Sequence, residues 1–381
     1  MSRAGKSIRT FTVCLALAAS GCQLILGIED HQLDPTGGSG GGTAGAPNGG
    51  SPSNGGSGGT GGEGGEPPVE LELFGDPEDL KTDLGSIEEL VMAEDGSLFY
   101  LERVDSQTHQ VQRRSSGGVI STIGTDLSKG FGLALTDDYA ITATSPADGS
   151  DSNCHILALD RAGIAPPRDI VHVSCAPGEQ ALGTLGAAGT HVVFSDLRGS
   201  ANLKSRVLKA EDTDDAAAGT VIGYGTDKDT RVASAIVDGS TFYWIDSDGQ
   251  SVLESDGGAV SGGQPPGEGV TSVANGLGDA RELVQGGAFF FVATATGVYR
   301  VSVNGDVLRL AEGQNPHGLS VDSAFVYWAE DTRVRAARLS DLALSTVASV
   351  GDDPCGTATD GSAVYFGTTG GRIVRVAPLP R

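Results

Sequence analysis

From residue 86 onward, apolar residues fall in short runs separated by Gly, Asp, Asn and Ser. One arrangement recurs. An acidic or small residue and a Gly or Ser lead into an apolar run ending in two aromatic or aliphatic residues, and polar residues follow. The clearest copies are Asp238-Gly239-Ser240-Thr241-Phe242-Tyr243-Trp244, Asp322-Ser323-Ala324-Phe325-Val326-Tyr327-Trp328 and Asp360-Gly361-Ser362-Ala363-Val364-Tyr365-Phe366. Aligned on Tyr100, Ile141, Val193, Tyr243, Phe290, Tyr327 and Tyr365, the copies lie 37 to 52 residues apart. One full unit places strand-like runs at 318–321, 325–328, 333–338 and 345–348.

No convincing amphipathic helix follows residue 86. Dense short strands with β-branched residues predict an all-β chain, and four strands per period of about 40 residues predict a propeller blade. The expected fold is a seven-bladed β-propeller of four-stranded antiparallel blades over residues 69–381. The last unit stops after 372–376, one strand short. The alternating run at 69–74 has no unit of its own, so it is the expected N-terminal closing strand that hides an open edge.

Composition changes the picture at the N-terminus. Residues 1–21 combine Arg3, Lys6 and Arg9 with an apolar stretch from Phe11 to Ala19, too short to span a bilayer. Ala19-Ser20-Gly21-Cys22 resembles the lipobox of bacterial lipoproteins, with Ala19 in place of the usual Leu. That resemblance implies a signal peptide at 1–21, cleavage before Cys22 and acylation of Cys22. Two or three acyl chains suffice for stable anchoring. Gln23 resembles the residue that, in enteric lipoproteins, permits sorting to the outer membrane. The domain facing the cell surface or the periplasm is expected to be lipid-anchored there.

Residues 36–66 hold 16 Gly and no Leu, Ile, Val or aromatic residue. Such a segment cannot bury enough apolar area to offset chain entropy. The stretch 22–68 is therefore expected to be a disordered tether, its Gly-rich part spanning about 30 Å. The net charge of −24 becomes −27 without residues 1–21. Charge of this sign repels nucleic acid, so no nucleic-acid partner is expected.

Cys154 and Cys175 stand at the open end of an expected hairpin and make one candidate disulfide in an exported protein. The alternative is Cys175 with Cys355. In the first case Cys355 is an unpaired, buried small hydrophobe. His155 and His172 fall on the same hairpin, and two His alone do not make a zinc site.

Tyr243-Trp244-Ile245-Asp246 and Tyr327-Trp328-Ala329-Glu330 resemble the YWTD motif of low-density-lipoprotein-receptor-type propellers. Asn315-Pro316-His317-Gly318-Leu319 resembles the turn into the innermost strand of YWTD and NHL propellers. The resemblance implies that Asp246 and Glu330 are turn or inter-blade hydrogen-bond acceptors. Trp244 and Trp328 read as packing between blades.

Loops after each blade's second strand carry Glu102, Asp105, Asp148, Asp151, Asp196, Asp246, Asp248, Glu330 and Asp331, with fewer basic residues in Arg103, Arg198 and Arg333. If Asp105, Asp148, Asp151, Asp196, Asp246, Asp248 and Asp331 converged, they would suit Ca²⁺ or a cationic ligand, with His317 near the channel mouth. Asp is also a common turn residue. Asp246-Ser247-Asp248-Gly249 starts like a calcium loop but has Gly257 at the twelfth position, which ends the EF-hand reading. Gly-x-Ser-x-Gly spacing falls only inside the Gly-rich stretch, at 37–41 and 55–59, where no strand-to-helix elbow is expected; no His-Glu-x-x-His or Cys-x-x-Cys motif occurs, and no catalytic residue or resident cofactor is expected. The expected function is binding of a protein, peptide or glycan without catalysis. The alternatives are an envelope assembly scaffold and a lyase or lactonase with a metal at the channel.

Overall fold

The computed structural model describes residues 71–380 except 146–152, 176–181, 198–205, 215–218, 225–231, 247–249 and 261–268. The expected leader, the expected lipidation site Cys22 and the whole of the expected tether (22–68) lie outside the described residues. So do Asp148, Asp151, Arg198 and Asp248.

Twenty-eight strands make seven four-stranded antiparallel sheets, with no helix among the described residues. The first strand, β1 (Glu78–Lys81), belongs to the last blade. Blade 1 holds β2 (Ser86–Met92), β3 (Leu98–Arg103), β4 (Thr108–Arg114) and β5 (Ile120–Ser128). Blade 2 holds β6 (Phe131–Leu135), β7 (Tyr139–Thr144), β8 (Asn153–Asp160) and β9 (Arg168–Ser174). Blade 3 holds β10 (Leu182–Ala188), β11 (His191–Asp196), β12 (Arg206–Glu211) and β13 (Thr220–Tyr224). Blade 4 holds β14 (Val232–Asp238), β15 (Thr241–Asp246), β16 (Ser251–Ser255) and β17 (Thr271–Ala274). Blade 5 holds β18 (Ala280–Gly286), β19 (Phe289–Thr294), β20 (Gly297–Ser302) and β21 (Val307–Glu312). Blade 6 holds β22 (His317–Val321), β23 (Phe325–Glu330), β24 (Arg333–Arg338) and β25 (Leu344–Ser349). Blade 7 holds β26 (Pro354–Thr359), β27 (Val364–Thr368), β28 (Ile373–Val376) and, outermost, β1.

The recurring apolar run is the second strand of each blade. That strand is covered on both faces by the neighbouring blades, so its apolar residues are continuous rather than alternating. All six residues of β23 are buried. The acid that opens the run shapes the turn before it. Asp322 Oδ1 accepts from the backbone N–H of Ala324 (2.7 Å) and Phe325 (2.8 Å), while Tyr327 donates its hydroxyl to Oδ2 at 2.9 Å. Asp360 and Tyr365 repeat this arrangement, with the hydroxyl contact at 2.7 Å.

Seven hydrophobic clusters fill seven seams. Trp244 packs with Val193, Val207 and Ile222 between blades 3 and 4, and Gly223 makes room for it: a Cβ there would lie 2.6 Å from the indole. Trp328 packs with Phe291, Ala293 and Val298 between blades 5 and 6. The ring closes where Ile87, Leu90 and Tyr100 of blade 1 meet Ala358, Tyr365 and Ile373 of blade 7.

Closure uses an N-terminal strand, but a different one from that expected. β1 pairs with β28, Glu78 opposite Arg375 and Asp79 opposite Val374. The run expected to do this lies just before it and only Leu71–Phe74 of it is described. Leu71 N–H donates to Leu344 O at 3.2 Å, and Phe74 bridges to Pro378. The Phe74 ring enters the blade 6–7 seam, 5.2 Å from Phe325 and 6.1 Å from Tyr327. Its alternation reflects an anchor in that seam. The true outermost strand is exposed and polar, so it carries no apolar signal.

Candidate functional site: the central channel

The first strands of all seven blades line an axial cavity of about 870 Å³. Each of these strands breaks register with its neighbour near its start: between Ile87 and Glu89, Phe131 and Leu133, Leu182 and Leu185, Val232 and Ala235, Ala280 and Glu282, His317 and Ser320, and Pro354 and Gly356. A bulge turns one extra residue and re-aims its side chain. Repeated around the ring, the bulges collect polar groups at one end of the channel. Glu88, Glu89, Thr184, Ser234, Glu282, His317 and Cys355 line this end, which we call the mouth, whereas Met92, Leu135, Ala187, Val237 and Gln285 line the other.

Several mouth groups stitch one blade to the next. Glu282 accepts from the N–H of Gly318 (2.6 Å) and Leu319 (2.7 Å) at the bulge of blade 6. Gly318 has φ +62°, and a Cβ there would strike Gly356 at 2.4 Å, so the position requires glycine. Ser234 Oγ accepts from Leu283 N–H at 3.1 Å. Thr357 Oγ1 donates to Gly318 O at 2.5 Å. Glu89 occupies in blade 1 the place that Glu282 occupies in blade 5, directly after the bulge, and the N–H of Leu133 in blade 2 is its hydrogen-bond donor.

Burial sets the chemistry of these carboxyls. Glu89 is pushed up to about 8, first by desolvation in the channel wall, then by the charge of Glu282 and, less, of Glu88. Glu89 is half-buried in the channel wall, with part of its surface facing the cavity. Burial also raises Glu282, against the opposing effect of its two backbone donors and of His317.

Glu88 differs. Arg103 Nη1 lies 3.3 Å from one of its oxygens and His109 Nε2 3.1 Å from the other. Because Gly130 N–H donates to His109 Nδ1 (3.1 Å), the ring proton sits on Nε2 and points at Glu88. Cys355 is free and only half-buried, in place of the buried small hydrophobe expected. Burial and the nearby Glu88 push its thiol up to about 12, so it stays neutral.

His317 lines the channel, with Nδ1 3.0 Å from Asn315 O and Nε2 2.9 Å from Pro354 O. It also borders a second cleft, of about 480 Å³, together with Arg103, Asp331 and Asp353. The other described loop acids do not line the channel. Asp105 caps its own turn, accepting from Gln107 and Thr108 N–H at 2.8 and 2.9 Å. Asp331, at φ +51°, is a turn residue.

Asp196 and Asp246 are buried at the ends of β11 and β15, and Arg206 pairs with Asp196. Near the same strand end every blade buries an acid or a threonine: Glu102, Thr144, Asp196, Asp246, Thr294, Glu330 and Thr368. Glu330 shows the role, taking Trp328 Nε1 at 3.2 Å, Arg335 Nη1 at 3.4 Å and Gln314 N–H at 3.3 Å. The four carboxylates among them serve four separate strand ends, in different blades, so they do not converge. Among the described residues no group of three or more His, Cys, Asp or Glu is placed to hold a metal ion.

Cys154 and Cys175 form a disulfide, with Cα atoms 5.8 Å apart. His155 and His172 stand opposite each other on β8 and β9, and His155 Nδ1 lies 2.8 Å from Asp169. Sequence reasoning missed Glu88, Glu89 and Glu282. The signal was a charged pair inside an apolar innermost strand, in Ile87-Glu88-Glu89-Leu90 and again in Ala280-Arg281-Glu282-Leu283.

Solved structures place the chain among β-propellers. Virginiamycin B lyase from Staphylococcus aureus superposes with a TM-score of 0.58 at 10% identity, over 80% of this chain and all of that one. Its catalytically inactive histidine-to-alanine variant with quinupristin gives 0.56 over the same shares, also at 10% identity. The WD40 propeller domain of Doa1 gives 0.53 at 12% identity, over 80% of this chain and 96% of that one. At these identities the likeness is one of fold. No family model and no curated protein matches the chain.

Proposed function

We propose that this chain is a lipid-anchored binding module of a bacterial outer membrane that captures a protein, peptide or glycan at the channel mouth. The anchoring rests on the lipobox-like Ala19-Ser20-Gly21-Cys22 and the Gly-rich stretch after it. The binding role rests on one observation: an axial cavity of about 870 Å³ with a polar end and an apolar end, built on a ring of rigid strands. Concave sites with a few converging polar groups are the usual form of ligand sites. The YWTD-like phrases fit this reading as part of the framework, through the strand-end acids Asp246 and Glu330.

The test is a peptide and glycan array probed with the full chain and with Thr184→Trp, which fills the mouth. The expected result is a hit that Thr184→Trp loses while its melting temperature holds. Hits that survive the filling overturn the channel as the site. A stoichiometric envelope partner whose binding also survives it would favour an assembly scaffold. A melting temperature that falls on chelation would favour the lyase or lactonase alternative, or a Ca²⁺ site.

A further inference from the structure

The channel mouth holds an imbalance between cations and carboxyls. Each basic side chain at or beside it is engaged. Arg103 and His109 hold Glu88. Arg281 holds Asp279 at 2.6 Å and also Asn315. His317 lies between two backbone carbonyls. Glu282 is taken by two backbone N–H groups. Glu89 is different: Leu133 N–H is its hydrogen-bond donor, and no described cation pairs with it. It faces Glu282 and Arg281 on β18, His317 on β22, Cys355 on β26 and Glu88 on its own strand; the channel-lining residues of β6, β10 and β14 carry no charge. Beyond Glu89 the wall turns mainly apolar, through Met92, Leu135, Ala187 and Val237, with Gln285 the polar side chain at that end.

A carboxyl without a cation, set above an apolar bore, matches an ammonium group on an aliphatic stem. We infer that the channel takes an alkylammonium group, such as a lysine side chain of the captured partner, whose charge pairs with Glu89 while its methylenes line the bore. This deepens the binding-module reading and rests on it. Near neutral pH, Glu89 carries its proton. Pairing then requires the acid to release that proton to solvent: a neutral carboxyl and an ammonium become a carboxylate–ammonium pair plus one free proton. The ammonium keeps its own proton, since alkylamines titrate near 10.4. Binding therefore tightens as pH rises toward 8 and levels off above it. A neutral acid is a weak partner for a cation and an ionised one a strong partner.

Calorimetric titration of the full chain tests this, with hexylammonium and hexanoate as probes of equal stem and opposite charge. Measurements run at pH 6 and 9, and at pH 7 in two buffers of different ionisation enthalpy. The expected result is hexylammonium binding that strengthens about tenfold or more from pH 6 to 9, with close to one proton released at pH 7. Glu89→Gln should bind weakly at both pH values, and hexanoate should not compete. Equal affinity at pH 6 and 9, equal affinity in Glu89→Gln, hexanoate binding as tight, or no hexylammonium binding would each overturn the inference. An array hit lost in Thr184→Trp, alongside silent hexylammonium, would leave the binding module standing and remove only its cationic ligand class.

Discussion

Glu89 has an ordinary carboxyl value of 4.5 in the unfolded chain and about 8 in the folded one. Between these pH values the folded protein holds a proton that the unfolded chain has lost. Stability is therefore full below about pH 4.5, declines as pH rises toward 8 and levels off above it. Glutamine cannot ionise, so Glu89→Gln should match the parent in acid and exceed it above pH 8, by about 2 kcal/mol once water in the channel is allowed for. Denaturant melts of both proteins at pH 5 and 9 measure this, and parallel curves at the two pH values would contradict it. The residue was hard to see in the chain because a Glu-Glu pair reads as solvated surface. Only the bulge between Ile87 and Glu89 turns it to the axis. The loop aspartates misled for the opposite reason. Asp105 and Asp331 are frequent turn residues, and spacing along the chain does not distinguish a capped turn from a ligand.

At the level of elements, the second strands were legible because burial on both faces makes them unbroken apolar runs. Trp244 and Trp328 were legible as seam fillers for the same reason. The closing strand was not. Glu78–Lys81 is the outermost strand of its blade and shows solvent three of its four residues, so its sequence carries no alternation. The run before it alternates because Phe74 is buried between blades 6 and 7. A chain beginning at residue 76 should therefore melt several degrees lower, from loss of a buried aromatic, yet stay monomeric. A chain beginning at residue 84 lacks β1, leaves β28 as an open edge and should self-associate. Size-exclusion chromatography with thermal melts separates the two. Identical behaviour of both truncations would show that β1 does not close the ring.

Across the whole molecule, seven seams of similar composition hold seven blades, and the last seam joins the two ends of the described chain. The repeat made that architecture readable, since each copy of the phrase marks one blade. It could not show which polar side chains share the axis. That depends on seven local bulges, each within a strand whose neighbours are apolar. On the proposed binding role, recognition falls at this axis and the rim of the disc is framework. Hydrogen–deuterium exchange with and without the array ligand tests that placement directly. We predict slowed exchange at the starts of the innermost strands, above all in Ser86–Met92, Ala280–Gly286 and His317–Val321, with the outermost strands unchanged. Protection confined to outermost strands such as Ile120–Ser128 or Val307–Glu312, with the channel unaffected, would contradict it.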